Sequence, residues 1–437
     1  MGIYLDLDDF LRFNQEMGVL RDKTNFTVLI KLKSKWMMDL GGDGKWNDFV
    51  EPQEFAVYWQ NTFEVPWMVV NAGLRLDAVN YKTKVWADTL GNFSPYSPYF
   101  YFDCGTDQLC DGYEGYTTPD EDGTEGNRIW DTGEATTGSI ADADNNAHVI
   151  FKKSDWIYKV SPRFGISHVI SDGATFTFNY GLYYQTPVYE YIYRNVNKLE
   201  DPGQTFEDAG RENSQIGNAT MTAGRTESYE IAFNAQMSRQ WAISAGVWVK
   251  NMSQLTTAKQ FTSGIYEYKV AKNGDFGSAI GYDMTVETRG DLINTMIQYT
   301  YSVAKASSEY DAAAFGDVVV DAPQQEFLMP YDRTHDLTLS IYSTKLPFGL
   351  NGGITAFFQS GQPYTGVRWD GDKPESDLLN EYGKRAPNLV TMDLSISKEF
   401  QMERHRMMFG MNVYNLFDKP YPVDVYSITG TADSPGE

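Results

Sequence analysis

The sequence predicts an all-β fold, a transmembrane antiparallel β-barrel with roughly fourteen to sixteen strands and long extracellular loops. Three observations carry that reading. Apolar and polar residues alternate with a period of two in segment after segment. These segments run to about ten residues, which suits a tilted crossing of a hydrocarbon layer better than the five or six usual in soluble sheets. Short turns and long polar stretches also alternate along the chain, the asymmetry of a barrel with one quiet end and one elaborate end.

The first forty residues show the pattern least clearly. It is plain in "EFAVYWQNTFEV" (Glu54 to Val65) and "MVVNAGLRLDAV" (Met68 to Val79). A long polar stretch then runs from about Trp86 to Ser154. "SPRFGISHVI" follows, and after the turn "SDG" comes "ATFTFNYGLYYQTP", with Phe176, Phe178, Tyr180, Leu182 and Tyr184 on one side. Its other side carries Thr175, Thr177, Asn179, Gly181 and Tyr183, polar but uncharged. Beyond the stretch Glu190 to Arg225, "SYEIAFNAQMS" and "WAISAGVWVKN" alternate in the same way, joined by "SRQ". "INTMIQYTYSVAKA", "LTLSIYS", "MDLSISKEF" and "RMMFGMNVYNLF" complete the series, with long stretches at Ser308 to Pro330 and Val367 to Arg385. A soluble β-sandwich is the competing reading. It fits less well, because the polar phase is Ser, Thr, Asn, Gly and Tyr rather than Lys, Glu and Asp. The apolar face is therefore expected to meet lipid and the polar face a lumen.

Charge and composition narrow the partners. A net charge of -23 and a pI near 4.6 repel a phosphate backbone, so nucleic acid is excluded as a partner. No run approaches the roughly 20 apolar residues of a membrane-crossing helix, which leaves a barrel untouched. Met1 leads into acidic residues where an export signal has a basic region and an apolar run. Two expectations follow from that, a cytoplasmic protein or a true N-terminus lying upstream.

Few residues suggest chemistry. His148, His168, His335 and His405 are scattered, and no nucleophile motif accompanies them, so no enzyme is expected. Cys104 and Cys110 stand close together in "DCGTDQLCDG", as a local disulfide in an oxidising compartment or as two surface thiols. The loop "TPDEDGTEGNRIWDTGEATTGSIADADNN" clusters Asp120, Asp122, Asp131, Glu134, Asp142 and Asp144. These hard oxygens suit Ca²⁺, although the sixth position counted from Asp120 is Glu125 where a helix–loop–helix site needs Gly. A solvated acidic loop is the other reading. Tyr183, Tyr184, Tyr189, Tyr191 and Tyr193 are expected to form an aromatic girdle and loop base.

Several of these segments together resemble the barrel of TonB-dependent outer-membrane receptors. "SPRFGISHVISDGATFTFNYGLYYQTP" is similar to that family's Pro-Arg-x-Gly strand and its Tyr-Gly partner. "TAGRTESYEIAFNAQMSRQWAISAGVWVKNMSQL" looks like the next hairpin, and "GYDMTVETRG" with "TMIQYTYSVAKA" like the one after. "PYDRTHDLTLSI", "GLNGGITAFFQSGQPYTG", "RAPNLVTMDLSISKEF" and "FGMNVYNLFDKPYPVDVYSITG" follow in the family's order. The resemblance divides the chain into an N-terminal partial barrel segment at 1–54, a receptor-like barrel at 55–430 and a loop at 431–437.

What the resemblance implies is an outer-membrane receptor in a bacterium, embedded in lipid, with this chain a partial barrel, a piece of a larger barrel. Such a receptor binds a small molecule or oligosaccharide and takes up a scarce nutrient of the siderophore, vitamin or oligosaccharide class. Uptake is driven by the TonB energy-transducing complex, acting through a plug domain that this chain is expected to lack, as it is expected to lack the closing strand. A passive porin-like barrel and a soluble all-β carbohydrate-binding protein are the alternatives.

Overall fold

A computed structural model gives the fold and describes residues 3–6, 23–31, 36–38, 48–87, 99–138, 142–144, 146–194, 215–263, 266–307, 326–371, 373–402, 405–420, 422 and 424–435. Fourteen strands form one antiparallel sheet: β1 (Ile3–Asp6), β2 (Lys23–Lys31), β3 (Gln53–Val65), β4 (Met68–Asn80), β5 (Ile157–Ser171), β6 (Ala174–Gln185) and β7 (Gly224–Gln236). They continue as β8 (Trp241–Ser263), β9 (Tyr266–Arg289), β10 (Asn294–Ala306), β11 (His335–Leu346), β12 (Leu350–Gln359), β13 (Leu389–Gln401) and β14 (Arg406–Val413). Each strand pairs with the one before and the one after it in sequence. Two short ribs, Gln215–Ile216 on β9 and Phe327–Leu328 on β10, bring the sheet to sixteen strands. Among the described residues no pairing joins β1 to β14.

Register decides which residues share a face, because directly opposed residues point the same way. Starting from Trp59, the partners run Leu74 on β4 and then Pro162 on β5. From Phe178 on β6 they run Ile231 on β7, Val247 on β8, Tyr282 on β9 and Tyr301 on β10. Leu339, Ala356 and Met392 carry the same face across β11, β12 and β13. One apolar face thus crosses every strand from β3 to β14. Much of it is bare: Val247 is 53 % exposed, Ile280 55 % and Phe409 63 %. A contiguous apolar surface of this breadth is not found facing water on a soluble monomer. It is the surface of a membrane wall.

Aromatic residues mark both borders of that face. Trp67 and Trp241 sit beside the short turns, with the His168 ring edge-on to Trp67 at 5.8 Å. Tyr158, Tyr184 and Tyr229 lie toward the long connections. There the Glu227 carboxylate accepts hydrogen bonds from the Tyr180 and Tyr229 hydroxyls, each at 3.0 Å, and from Arg225 at 3.2 Å. Charges neutralised in this way are how a wall ends at a polar boundary.

The long connections build a second layer at that end. β8 and β9 outrun their neighbours at 23 and 24 residues. A register shift between Met252 and Leu255 separates the wall portion of the hairpin from its tip. Against the tip pack the 81–156 connection and a short helix, α1 (Glu190–Tyr193). Tyr81, Ile192, Tyr193, Met221 and Ala271 are buried there in one cluster, and Phe100, Val149 and Val270 in a second. Tyr191 and Tyr193 therefore lie inside this cap, not in a lipid girdle, because α1 turns them away from the wall.

Candidate functional site

The polar face of the sheet is a continuous hydrogen-bonded surface. Thr62 donates to Asn71 at 2.7 Å, Ser244 to Asn234 at 2.6 Å and Gln359 to Asp336 at 2.7 Å. Asp283 accepts from the Trp248 indole at 2.8 Å and from Thr300 at 2.6 Å. Trp248 lies flat over Gly281, where an added Cβ would come within 2.5 Å of the ring, so only glycine lets the indole lie against the wall. The Arg163 guanidinium stacks over the Tyr183 ring at 4.7 Å in the same layer.

Two cavities open at the long-connection end. One, of about 350 Å³, lies beneath the cap and is lined by Glu54, Arg75, Asp77, Lys159 and Tyr184 among others. Arg75 grips Asp77 with two guanidinium nitrogens at 2.7 to 2.9 Å, and Tyr189 of the cap donates to Glu54. The other, of about 500 Å³, is framed by three separate connections and lined by Tyr331, Tyr364 and Tyr382 with Pro330, Pro363, Pro387 and Pro422.

A polar hub holds that second cavity rigid. The Arg385 guanidinium donates to Asp332 at 2.7 Å, to the Thr334 hydroxyl at 2.5 Å and to the Gly361 carbonyl at 2.9 Å. Asp332 has a side chain only 1 % exposed and also accepts the Ala304 backbone N–H at 2.8 Å. Arg333 donates to the Ser360 carbonyl at 3.1 Å, and the Gly361 N–H reaches Asn388 at 3.1 Å. The buried carboxylate also accepts from the Thr334 hydroxyl at 3.0 Å, so a guanidinium fork, a backbone N–H and a hydroxyl hold it together.

The acidic residues singled out in the sequence lie in the 99–138 and 142–146 segments of the cap. Asp120 accepts from the Thr106 N–H at 3.0 Å, and Asp122 from the Thr124 hydroxyl at 2.7 Å. Asp131 accepts from Asn127 at 2.7 Å, and its own N–H is held by Glu134 at 2.7 Å. Asp144 accepts from Tyr113, and Asp142 is exposed. Among the described residues no three such groups meet in the arrangement that holds a metal ion. The oxygens of Asp120, Asp122, Asp131, Glu134 and Asp144 hold the loop's own backbone and side chains. Burial holds the Glu134 carboxyl above its ordinary pKa, and the Asp103 and Asp131 charges add to the effect, while hydrogen bonds from the Asp131 and Gly105 backbone N–H groups partly offset both. Cys104 and Cys110 are bonded to each other, their Cα atoms 4.4 Å apart, at the mouth of the same loop.

Sequence reasoning missed the hub. Its residues lie in three of the quoted segments, "PYDRTHDLTLSI", "GLNGGITAFFQSGQPYTG" and "RAPNLVTMDLSISKEF", which the sequence showed only in their order along the chain.

A wall with one lipid-facing and one polar face, elaborated at a single end, defines a membrane β-barrel protein of the receptor type. The family model for the TonB-dependent receptor-like β-barrel matches residues 21–416, and this chain belongs to that family. Its place is the bacterial outer membrane. Among solved structures, the chain is similar to the FrpB iron transporter from Neisseria meningitidis (TM-score 0.52, 11 % identity, 92 % of this chain and 49 % of that one). It is also similar to a double mutant of the Serratia marcescens hemophore receptor HasR in complex with its hemophore HasA and heme (0.51, 13 %, 95 % and 54 %). The outer membrane transporter YddB from Escherichia coli is a third (0.50, 11 %, 92 % and 57 %). At such identities the likeness establishes the fold, and the chain spans about half the length of these proteins. No curated protein sequence matches.

Proposed function

We propose that this chain forms the lipid-embedded wall and part of the outward mouth of a receptor that takes up a scarce nutrient, of the siderophore, vitamin or oligosaccharide class. The observation that carries this reading is the placement of both cavities at the elaborated end, above a polar inner face and inside an apolar belt. Iron, hemophore and heme in the names of similar structures support uptake of a scarce ligand as the task. The energy comes from the TonB complex, acting through a plug region. The chain's own residues bind and orient the ligand, and no bond chemistry is needed.

Deleting the gene in its native bacterium tests the proposal. Growth is then measured with ferric chelates, cobalamin or oligosaccharides as the limiting nutrient. Loss of growth on one of them, reproduced by inactivating TonB, is the expected result. Uptake that needs this chain but not TonB would establish a passive porin instead.

A further inference from the structure

We propose that the cavity held by the Arg385 hub is a binding site for a neutral oligosaccharide. This deepens the receptor reading above and rests on it. The cavity of about 500 Å³ lies within the roughly 300 to 1,000 Å³ usual for small-ligand sites. Its lining includes Tyr331, Tyr364, Tyr382, Gln362, Arg333 and Asp424. Leu389, one of its lining residues, opposes Gln359 on the polar face of the sheet, so the cavity lies on the lumen side and not the lipid side.

Three features select the ligand. The first is aromatic surface: Tyr331 is 62 % exposed, and Tyr382 stacks its ring on Phe327 at 5.5 Å, which fixes its plane. Rigid tyrosines offer broad, partly apolar faces at low entropic cost, suited to the C–H faces of a pyranose. The second is unclaimed hydrogen-bonding capacity. Among the described residues the Tyr331 and Tyr364 hydroxyls and the Gln362 amide have no protein partner, although every group of the hub beneath them does. Hydroxyls of a sugar both donate and accept, and this set can answer both. The third is charge. The lining holds one cation, Arg333, and one carboxylate, Asp424, while Arg385 outside the lining is paired with Asp332. An anionic iron chelate would find no surplus cation here, on a chain whose net charge is -23.

The test uses the receptor purified in detergent from outer membranes, offered to an array of neutral hexose and pentose oligomers and to an iron(III)–catecholate complex. Binding of a neutral oligomer is expected. Calorimetry with that oligomer is expected to show a loss of about tenfold or more in Tyr331→Ala and in Gln362→Ala, with a smaller loss in Tyr331→Phe, which keeps the ring and removes only the hydroxyl. A silent array overturns the proposal. So does oligomer binding that survives the Tyr331→Ala/Gln362→Ala double substitution, or an iron complex whose binding those substitutions abolish. The receptor reading is decided separately: TonB-dependent uptake of another nutrient beside a silent array leaves it standing, and absence of any such uptake removes it.

Discussion

Arg385 and Asp332 are 53 positions apart in the chain and 2.7 Å apart in space. Removing the guanidinium leaves a carboxylate with 1 % exposure facing protein. Arg385→Ala is therefore expected to cost about 3 kcal/mol, the low end for a broken buried pair because Arg385 itself is 30 % exposed. Arg385→Lys should recover only part of that, since a point charge cannot reach Asp332, Thr334 and Gly361 together. Thermal unfolding in detergent checks both.

Glu134 supplies a pH dependence at the same scale. Its folded-state pKa is raised, first by burial, so the folded loop binds the proton more tightly than the unfolded one. The loop should gain stability as pH is lowered from neutral through that raised pKa, and lose it again as pH rises back through it. Hydrogen-exchange protection of residues 103–134, corrected for intrinsic rates, is expected to follow that slope. Glu134→Gln should flatten it, and the opposite slope in the parent would overturn the assignment.

The strands themselves were largely legible. Alternation from Phe176 to Leu182 marked one continuous apolar face, and the register carries that face strand by strand. The upper halves of β8 and β9 were not legible. The shift at Met252/Leu255, with Gln254 at φ 57°, slips the period-two phase, and the tip packs against a cap instead of lipid. Tyr191 and Tyr193 misled for a related reason: four helical residues were too few to show a helical period. The hub was illegible because pairing between distant loops leaves no local pattern. Within the cap, Ile192 is fully buried between α1 and the hairpin tip. Ile192→Ala is expected to cost about 2 to 4 kcal/mol, confined to the cap. Limited proteolysis should then cut residues 99–138 faster while the wall fragments stay intact.

Over the whole molecule, two faces of one sheet meet two solvents, and substitutions should differ by face alone. Val247→Arg, in the middle of the apolar belt, is expected to reduce membrane stability by about 2 to 4 kcal/mol. Ser244→Arg, on the polar face of the same strand, should change it by less than about 1 kcal/mol. Folding yields into lipid vesicles compare the two directly. The cap is built from connections beyond the wall, so the proposed ligand capture and membrane anchoring should be separable properties of the chain.

The most direct measurement places single nitroxide labels along β7 and β8, at Ile231, Val247 and Val249 and at Glu230, Ser244 and Trp248, in the membrane-embedded receptor. Collision rates with dissolved oxygen and with a water-soluble nickel chelate are then compared. Oxygen should dominate at the first three positions and the chelate at the second three, alternating residue by residue. Equal chelate access on both faces, or the reverse alternation, would contradict a wall between lipid and lumen.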